Sequence, residues 1–553
     1  MKKIYFYFFL LFSTFLFAQP GTESGIMTVN ATIPYQGIGE PIPLLGAGQY
    51  KIYYDNVDGV LDKPIFFVDG FDPNDSRDIP SMYNLLNYGD PVMNLGDLIR
   101  DEGYDLVVLN FQASYMSPTN GTTEILGGAD YIQRNAFTLV ELINTINGIK
   151  VGTEENVVIG PSMGGLISRY ALRYMEQNTM DHETRLFISF DSPHRGANVP
   201  IGIQYLFNYM VYGDPAITEA EPLVSGLLNS AAAKQMLIDH YLGHVDGGGI
   251  EQDNSAHTPK GAPNYRTAFQ NELDAMGFPQ NVRNVSITNG SGTGQMSGTP
   301  GMELINHTFD TGPVTVPIFG TINTRAIISV NFTPLANQTI EVTDFVGQGF
   351  IFGAWNTVYS FNADAQSTAS SSGLDSAPGG QFDLYSFDDG SNPLITEFVS
   401  NLNTQYFNFI PTLSGLAIST QPNWYANPNV NDSPFASTFV PTNNEPHVTL
   451  TQANVAFALN EILNSTLGVT VEPINDRIKL QHNPVSDHMT LLNTERVDNA
   501  MITIVDLTGK VILNTNTTLS DRTTIPLNLE AGLYILNVQT GNETIFKTKL
   551  IVR

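Results

Sequence analysis

The sequence predicts an α/β fold: a mostly parallel sheet with helices on both faces, followed by a small C-terminal β-sandwich. Three observations lead there. Short apolar runs alternate with amphipathic stretches between residues 60 and 290. One run, Asn156-Val157-Val158-Ile159, leads straight into Gly160-Pro161-Ser162-Met163-Gly164-Gly165 and then a helix-like stretch. Beyond Asp476 the charge balance changes and the chain reads as strands and turns. Strands buried on both faces read as continuous apolar runs, which indicates parallel strands covered by helices.

The elements follow in order. Met1-Lys2-Lys3, the apolar run Ile4 to Phe17 and the small Ala18 read as a signal peptide over 1–18, with a mature start at Gln19. That run is short for a membrane span, and no later stretch is long and apolar enough. The chain has no cysteine, which excludes a disulfide scaffold and a thiolate zinc site. Residues 19–475 are expected to form one large domain. Its first buried strand is Lys63 to Val68, ending at Asp69-Gly70-Phe71. Leu95, Leu98 and Ile99 mark a helix face, and Asp105 to Phe111 a second strand. Ile132, Ala136, Leu139, Val140 and Ile143 mark another helix. The strands Val157 to Ile159, Arg185 to Phe190 and Asn284 to Thr288 follow. Ligands bind beyond the carboxyl ends of such strands, where Ser162 falls.

Two insertions are expected in this domain. Residues 199–255 include Tyr205 to Tyr212 and a helical stretch to Leu237, readable as an apolar lid or as a core helix. Residues 301–400 are rich in Thr, Val, Gly and Phe, with strands expected at Val314 to Phe319 and Gly349 to Gly353 and a loop at Ser367 to Gly380.

Charge narrows the function. The chain has 25 Lys+Arg against 54 Asp+Glu, a formal net charge of −29, while residues 476–553 hold eight of each sign. So acidic a body excludes nucleic acid as a partner and disfavours docking on anionic membranes. Asp72, Asn74, Ser76 and Asp78 alternate as in a calcium loop, but Arg77 replaces the needed glycine and Tyr83 stands where the distal Glu belongs. No metal is expected.

The serine segment is read as a nucleophile elbow. Gly160 and Gly164 leave room for the tight turn, and the Met163 N–H, at a helix N-terminus, points at a developing oxyanion. Together with Asp191-Ser192-Pro193-His194-Arg195-Gly196-Ala197 and a terminal histidine, this segment resembles the lipase and esterase branch of the α/β-hydrolases, over roughly residues 60–200 and 400–465. The resemblance implies carboxylic-ester hydrolysis through an acyl-enzyme, and hence an ester or lipid substrate. A serine mechanism needs no cofactor, and a monomer is expected. The resemblance gives His194 a structural role. It puts a second oxyanion donor at the Phe71 N–H, after Asp69-Gly70, where the family usually has His-Gly. The triad histidine comes last in this order. Of nine histidines, His447 alone lies between His307 and the tail, in a loop before the helical stretch Leu450 to Leu459. For the acid, Asp191 follows the strand after the elbow; Asp432 is the alternative, and Asp388 and Asp389 trail. An amidase or peptidase on the same groups, and a non-catalytic surface-binding protein, are the competing functions.

The tail reads as strands at Met501 to Val505 and Tyr534 to Val538 with turns at Gly509-Lys510 and Gly541-Asn542. Asn483-Pro484-Val485-Ser486-Asp487, Val505 to Lys510, Ala531 to Ile535 and Lys547 to Val552 resemble the type A C-terminal sorting domain of the type IX secretion system. The resemblance covers residues 476–553. It implies the secretion machinery as a partner, export across the outer membrane and removal of the tail, with a released or surface-held product. A generic β-sandwich accessory is the alternative.

Overall fold

The computed structural model describes residues 21–463 and 478–553, except 215, 217–220, 222, 246, 248, 256, 317–319, 389, 391–392, 494–495, 507–509, 531 and 541–542. The expected signal peptide, 1–18, lies outside the described residues. Two compact units are present, Met1–Ile462 and Leu463–Arg553.

In the first unit, eight strands build one sheet: β1 (Met27–Asn30), β2 (Ala47–Tyr53), β3 (Pro64–Val68), β4 (Asp105–Asn110), β5 (Asn156–Pro161), β6 (Thr184–Phe190), β7 (Arg283–Ile287) and β8 (Ser437–Phe439). Their spatial order is β1-β2-β4-β3-β5-β6-β7-β8. From β4 to β8 every neighbouring pair is parallel. β2 runs antiparallel to β4, and β1 antiparallel to β2.

Period-two alternation sends each strand into two cores. Phe66, Val68, Val107, Leu109, Val158 and Phe187 pack with the helices Ile132–Ile149 and Met163–Gln177. Ile65, Phe67, Leu106, Val108, Val157, Ile159 and Ile188 pack on the opposite face with Ile79, Met82, Leu95 and Ile99, and with Val455, Ala458 and Ile462 of the helix Gln452–Leu463. Because the pairs are parallel, the carboxyl ends of β3, β5, β6 and β7 share one crest; Phe190 lies beside both Pro161 and Ile287.

The insertions differ in detail from the sequence expectation. Between 199 and 255, Ile201–Tyr212 is one helix, and the stretch to Leu237 breaks into Leu223–Leu228 and Ala231–Met236, the latter capped by Ser230. Ile201–Tyr212 is buried along most of its length. Four long antiparallel strands, Glu303–Val316, Gly320–Asn331, Thr339–Ile351 and Ala354–Gln366, form a separate sheet. It packs on that helix: the Tyr209 ring stacks on Phe361 at 4.6 Å and tilts against Phe345 at 5.1 Å. The β structure continues past residue 400, because Gly379–Asp383 pairs with Tyr406–Pro411. The expected loop Ser367 to Gly380 thus ends as a strand. Its glycines serve close packing, since a Cβ on Gly379 would lie 1.8 Å from Asn408 Oδ1. Among the described residues no helix is long and apolar enough to cross a membrane.

The second unit holds a three-stranded and a four-stranded sheet. Met489 and Leu491 of the first share a core with Ile502, Ile504, Leu536, Val538 and Leu550 of the second.

Candidate active site

Ser162 stands between β5 and the helix Met163–Gln177, with φ 53° and ψ −129°. A non-glycine residue held there stores of order 1–3 kcal/mol, and persists only where its surroundings over-determine it. The surroundings do so. Ser162 N–H donates to Phe190 O at 2.8 Å. A Cβ on Gly160 would lie 2.5 Å from Gly164 O, and one on Gly164 2.4 Å from Val68 O. Both glycines are therefore required for the turn to close against β3.

The serine meets a histidine from far along the chain. His447 Nε2 lies 2.9 Å from Ser162 Oγ, and His447 Nδ1 lies 2.6 Å from Asp191 Oδ2. With Nδ1–H donating to the carboxylate, Nε2 is left to accept from the serine hydroxyl. Asp191 follows β6, is fully buried and has φ 46°. Its Oδ1 accepts from Asn289 N at 3.0 Å and Thr288 Oγ1 at 3.1 Å. Thr288 and Asn289 follow β7, so that crest position supplies donors to the acid. Asp432 is elsewhere: it is exposed and its carboxylate accepts from Thr420. Asp388 accepts from Gly390 N and Thr396 Oγ1 on an exposed turn, and Asp389 lies outside the described residues.

The histidine loop is tied at several points. His447 N–H donates to Gln381 O at 2.8 Å, Gln381 N–H to Glu445 O at 3.0 Å, and Glu445 N–H to Asn289 O at 2.8 Å. Asn289 Nδ2 donates to Glu445 Oε2 at 2.8 Å and to Thr449 O at 3.0 Å. The Phe409 ring meets the imidazole edge to face at 4.9 Å. Val448 has φ 58°, a costly conformation for a β-branched residue. Gly380 leaves the room the acid needs, as a Cβ there would lie 2.0 Å from Asp191 Oδ2.

On the other side of the serine, Gly70 lies so close that its Cβ would be 3.2 Å from Ser162 Cβ. Met163 begins the following helix, and Phe71 follows Gly70 on the β3 loop. Arg77 clamps that loop: Nη2 donates to Phe71 O at 2.7 Å, and the guanidinium lies 3.7 Å from both the Asp69 and Asp72 carboxylates. Asp69 Oδ1 accepts from Gly70 N–H at 2.7 Å. Burial pushes the Asp69 carboxyl up to about 7 against the pull of Arg77. The calcium-like residues are engaged otherwise. Asp72 accepts from Ser76 Oγ and Arg77 N, and Asp78 caps the helix Ile79–Asn84.

His194 is buried below the crest, 2.7 Å from Ser189 Oγ, and burial holds its pKa well below the usual range. Thr288, Asn289, Gln381, Phe409 and Arg77 carry no motif of their own. Thr288 and Asn289 could have been flagged as polar residues closing a predicted strand; Gln381 and Phe409 could not.

A cavity enclosing about 720 Å³, part of it open to solvent, adjoins the site. Its apolar lining includes Phe71 and Phe409, and continues through Phe382, Ile203, Phe207 and Met236.

No curated protein sequence matches this chain. Among solved structures it is similar to an esterase of Pyrobaculum calidifontis, with 10% identity over 38% of this chain and 57% of that one and a TM-score of 0.22. A Bacillus licheniformis lipase in its mature form shares 12% identity over 50% and 74% of the respective chains, with a TM-score of 0.21. A peroxisomal alpha-beta-hydrolase of Saccharomyces cerevisiae shares 12% over 48% and 74%, with a TM-score of 0.26. This chain spans little more than half the length of the Pyrobaculum esterase. Residues 482–553 match the family described as Secretion system C-terminal sorting domain. The chain therefore carries a type IX sorting domain, which engages that secretion machinery and directs the protein to the cell surface or the extracellular space.

Proposed function

We propose that the body of this chain is an α/β-hydrolase that cleaves carboxylic esters through an acyl-enzyme, acting outside the cell. One observation carries the reading: the hydrogen-bonded series Asp191–His447–Ser162, with contacts of 2.6 and 2.9 Å. His447 takes the proton of Ser162 as its oxygen attacks the ester carbonyl. Asp191, held by Thr288 and Asn289, fixes the imidazole tautomer and stabilises the imidazolium. The Met163 and Phe71 N–H groups receive the oxyanion. His447 then protonates the leaving alkoxide, and activates the water that releases the acid. All these groups come from one chain, so a monomer suffices.

The apolar cavity beside Phe71 and Phe409 favours an acyl group of hydrocarbon character. A neutral Asp69 matters here as well. Its carboxyl lies one residue from Gly70, and a charge at that point would oppose the oxyanion; burial keeps the proton on below about pH 7.

The test is hydrolysis of p-nitrophenyl esters from acetate to palmitate by the wild-type chain and its Ser162→Ala and His447→Ala variants. The proposal expects turnover in the wild type, rising with acyl length to a plateau set by the cavity, and none in either variant. A folded wild type that turns over no ester but cleaves an anilide substrate would replace the esterase reading with an amidase.

A further inference from the structure

The inserted four-stranded sheet has a distal end that the catalytic reading does not use. The hairpin of Thr339–Ile351 and Ala354–Gln366 turns at that end, at Phe352-Gly353. Cross-strand pairing of the two middle strands stops at Thr324 and Gly349, so each hairpin extends beyond it alone. Residues 311–324 and 345–363 contain no charged side chain, in a chain with a formal net charge of −29. Five apolar residues towards that end are solvent-facing: Phe352 is 94% exposed, Val358 53%, Val314 47%, Phe350 42% and Trp355 37%, whereas Phe345 and Phe361, nearer the helix, are buried. Phe352 holds φ 54°, which projects it from the turn.

Several polar side chains of this end bond within the sheet, while Asn323, Thr357 and Ser360 are exposed. Asn356 Nδ2 donates to Ile351 O and Ala354 O, Thr315 and Thr321 hydroxyls meet at 3.3 Å, and Gln348 Oε1 accepts from Arg325 Nε. Arg325 lies over the Trp355 ring at 4.2 Å. Phe350 and Trp355 meet at 64°, which presents a ridge of ring edges and not a flat stacking platform. A sugar surface needs outward hydrogen-bonding groups and a flat ring; an anionic surface needs cations. An uncharged apolar surface needs neither, and exposed aromatic rings are the side chains that enter the boundary of such a phase.

We propose that the end of the Thr339–Ile351/Ala354–Gln366 hairpin, bearing Phe350, Phe352, Trp355 and Val358, docks on a neutral lipid–water interface. The base of the same sheet packs on the helix Ile201–Tyr212, which supplies Ile203 and Phe207 to the cavity. From Phe345 at that base to Phe352 is seven residues, roughly 24 Å at strand rise. Docking would thus hold the body at a set distance from the interface without occupying the catalytic crest.

The experiment measures binding, not hydrolysis. The full chain carrying Ser162→Ala is floated with triolein droplets coated in phosphatidylcholine, so failure of the hydrolase reading leaves this result intact. Expected is co-flotation that persists at about 1 M salt, where charges are screened within about 3 Å. Phe352→Ser should lower the partition coefficient roughly tenfold, as for withdrawing one phenyl ring from an apolar phase. Being almost fully exposed, it leaves the fold intact. Phe350→Ser with Trp355→Ser should lower it further. The chain has two tryptophans, Trp355 and Trp424, so in a Trp424→Phe background the emission should shift blue on docking. Absence of flotation, equal partition of wild type and variants, binding to phosphatidylglycerol vesicles alone, or binding to insoluble cellulose in place of droplets would each overturn the proposal.

Discussion

The crest of the central sheet and the C-terminal unit use backbone strain differently. At the crest, three residues with positive φ, Ser162, Asp191 and Val448, converge on one hydrogen-bonded series. Ser162 and Asp191 are pinned by main-chain bonds to Phe190 O and Ile287 O and by glycines whose Cβ would clash. In the C-terminal unit, Asn499 has φ 56° at an irregularity in the strand Val497–Val505, and the described polar side chains form no comparable buried series. The difference teaches where chemistry is localised. A reacting group must be held against its own preference, whereas a domain read by a secretion apparatus needs only stable strands over an apolar core.

Removing the reacting groups should give the largest effect. Ser162→Ala or His447→Ala is expected to lower kcat on a p-nitrophenyl ester by roughly 10⁵–10⁶-fold. Deleting residues 482–553 should leave that rate unchanged while abolishing export, measured as activity in cell-free medium. A truncated chain that is still exported would break the division of roles.

Next in size is Asp191→Asn, with an expected loss of about 10⁴-fold from the wrong imidazole tautomer. Asp432→Asn should leave kcat unaltered, and the reverse ranking of the two variants would move the acid elsewhere. Smaller still is Gly164→Ala. The added methyl meets Val68 O, so destabilisation of about 1–3 kcal/mol should appear in denaturant unfolding along with a reduced kcat.

The smallest effect concerns Asp69. Its folded pKa is raised to about 7, while an unfolded aspartate titrates near about 4. The folded chain therefore holds this proton more tightly; its contribution to stability is complete below about pH 4 and is lost as pH rises through about 7. Asp69→Asn should flatten that decline, so thermal unfolding midpoints at pH 5 and pH 8 should lie closer together in the variant. Equal pH slopes in both proteins would remove Asp69 from this account.

The parallel sheet was legible because strands covered on both faces must be continuous apolar runs, as in Ile65 to Val68 and Val157 to Ile159. The elbow was legible because its glycines are local. His447 and Asp191 could be nominated only through the order of the family resemblance, since nothing near either residue in sequence records a contact spanning 256 positions. Gln381 and Phe409 were invisible for the same reason. They act through main-chain atoms or ring edges, and composition carries no trace of that. Gly379 and Gly380 misled in the opposite sense: a small-residue run read as a loop is there a strand packed too tightly for side chains.

The central claim is that Ser162 is a nucleophile activated by His447. Intact-mass measurement after exposure to an alkyl fluorophosphonate tests it most directly. One adduct per chain is expected, located by peptide mapping on Ser162, absent from Ser162→Ala and strongly slowed in His447→Ala. A folded wild-type chain that remains unmodified, or that is modified at another residue, would contradict it.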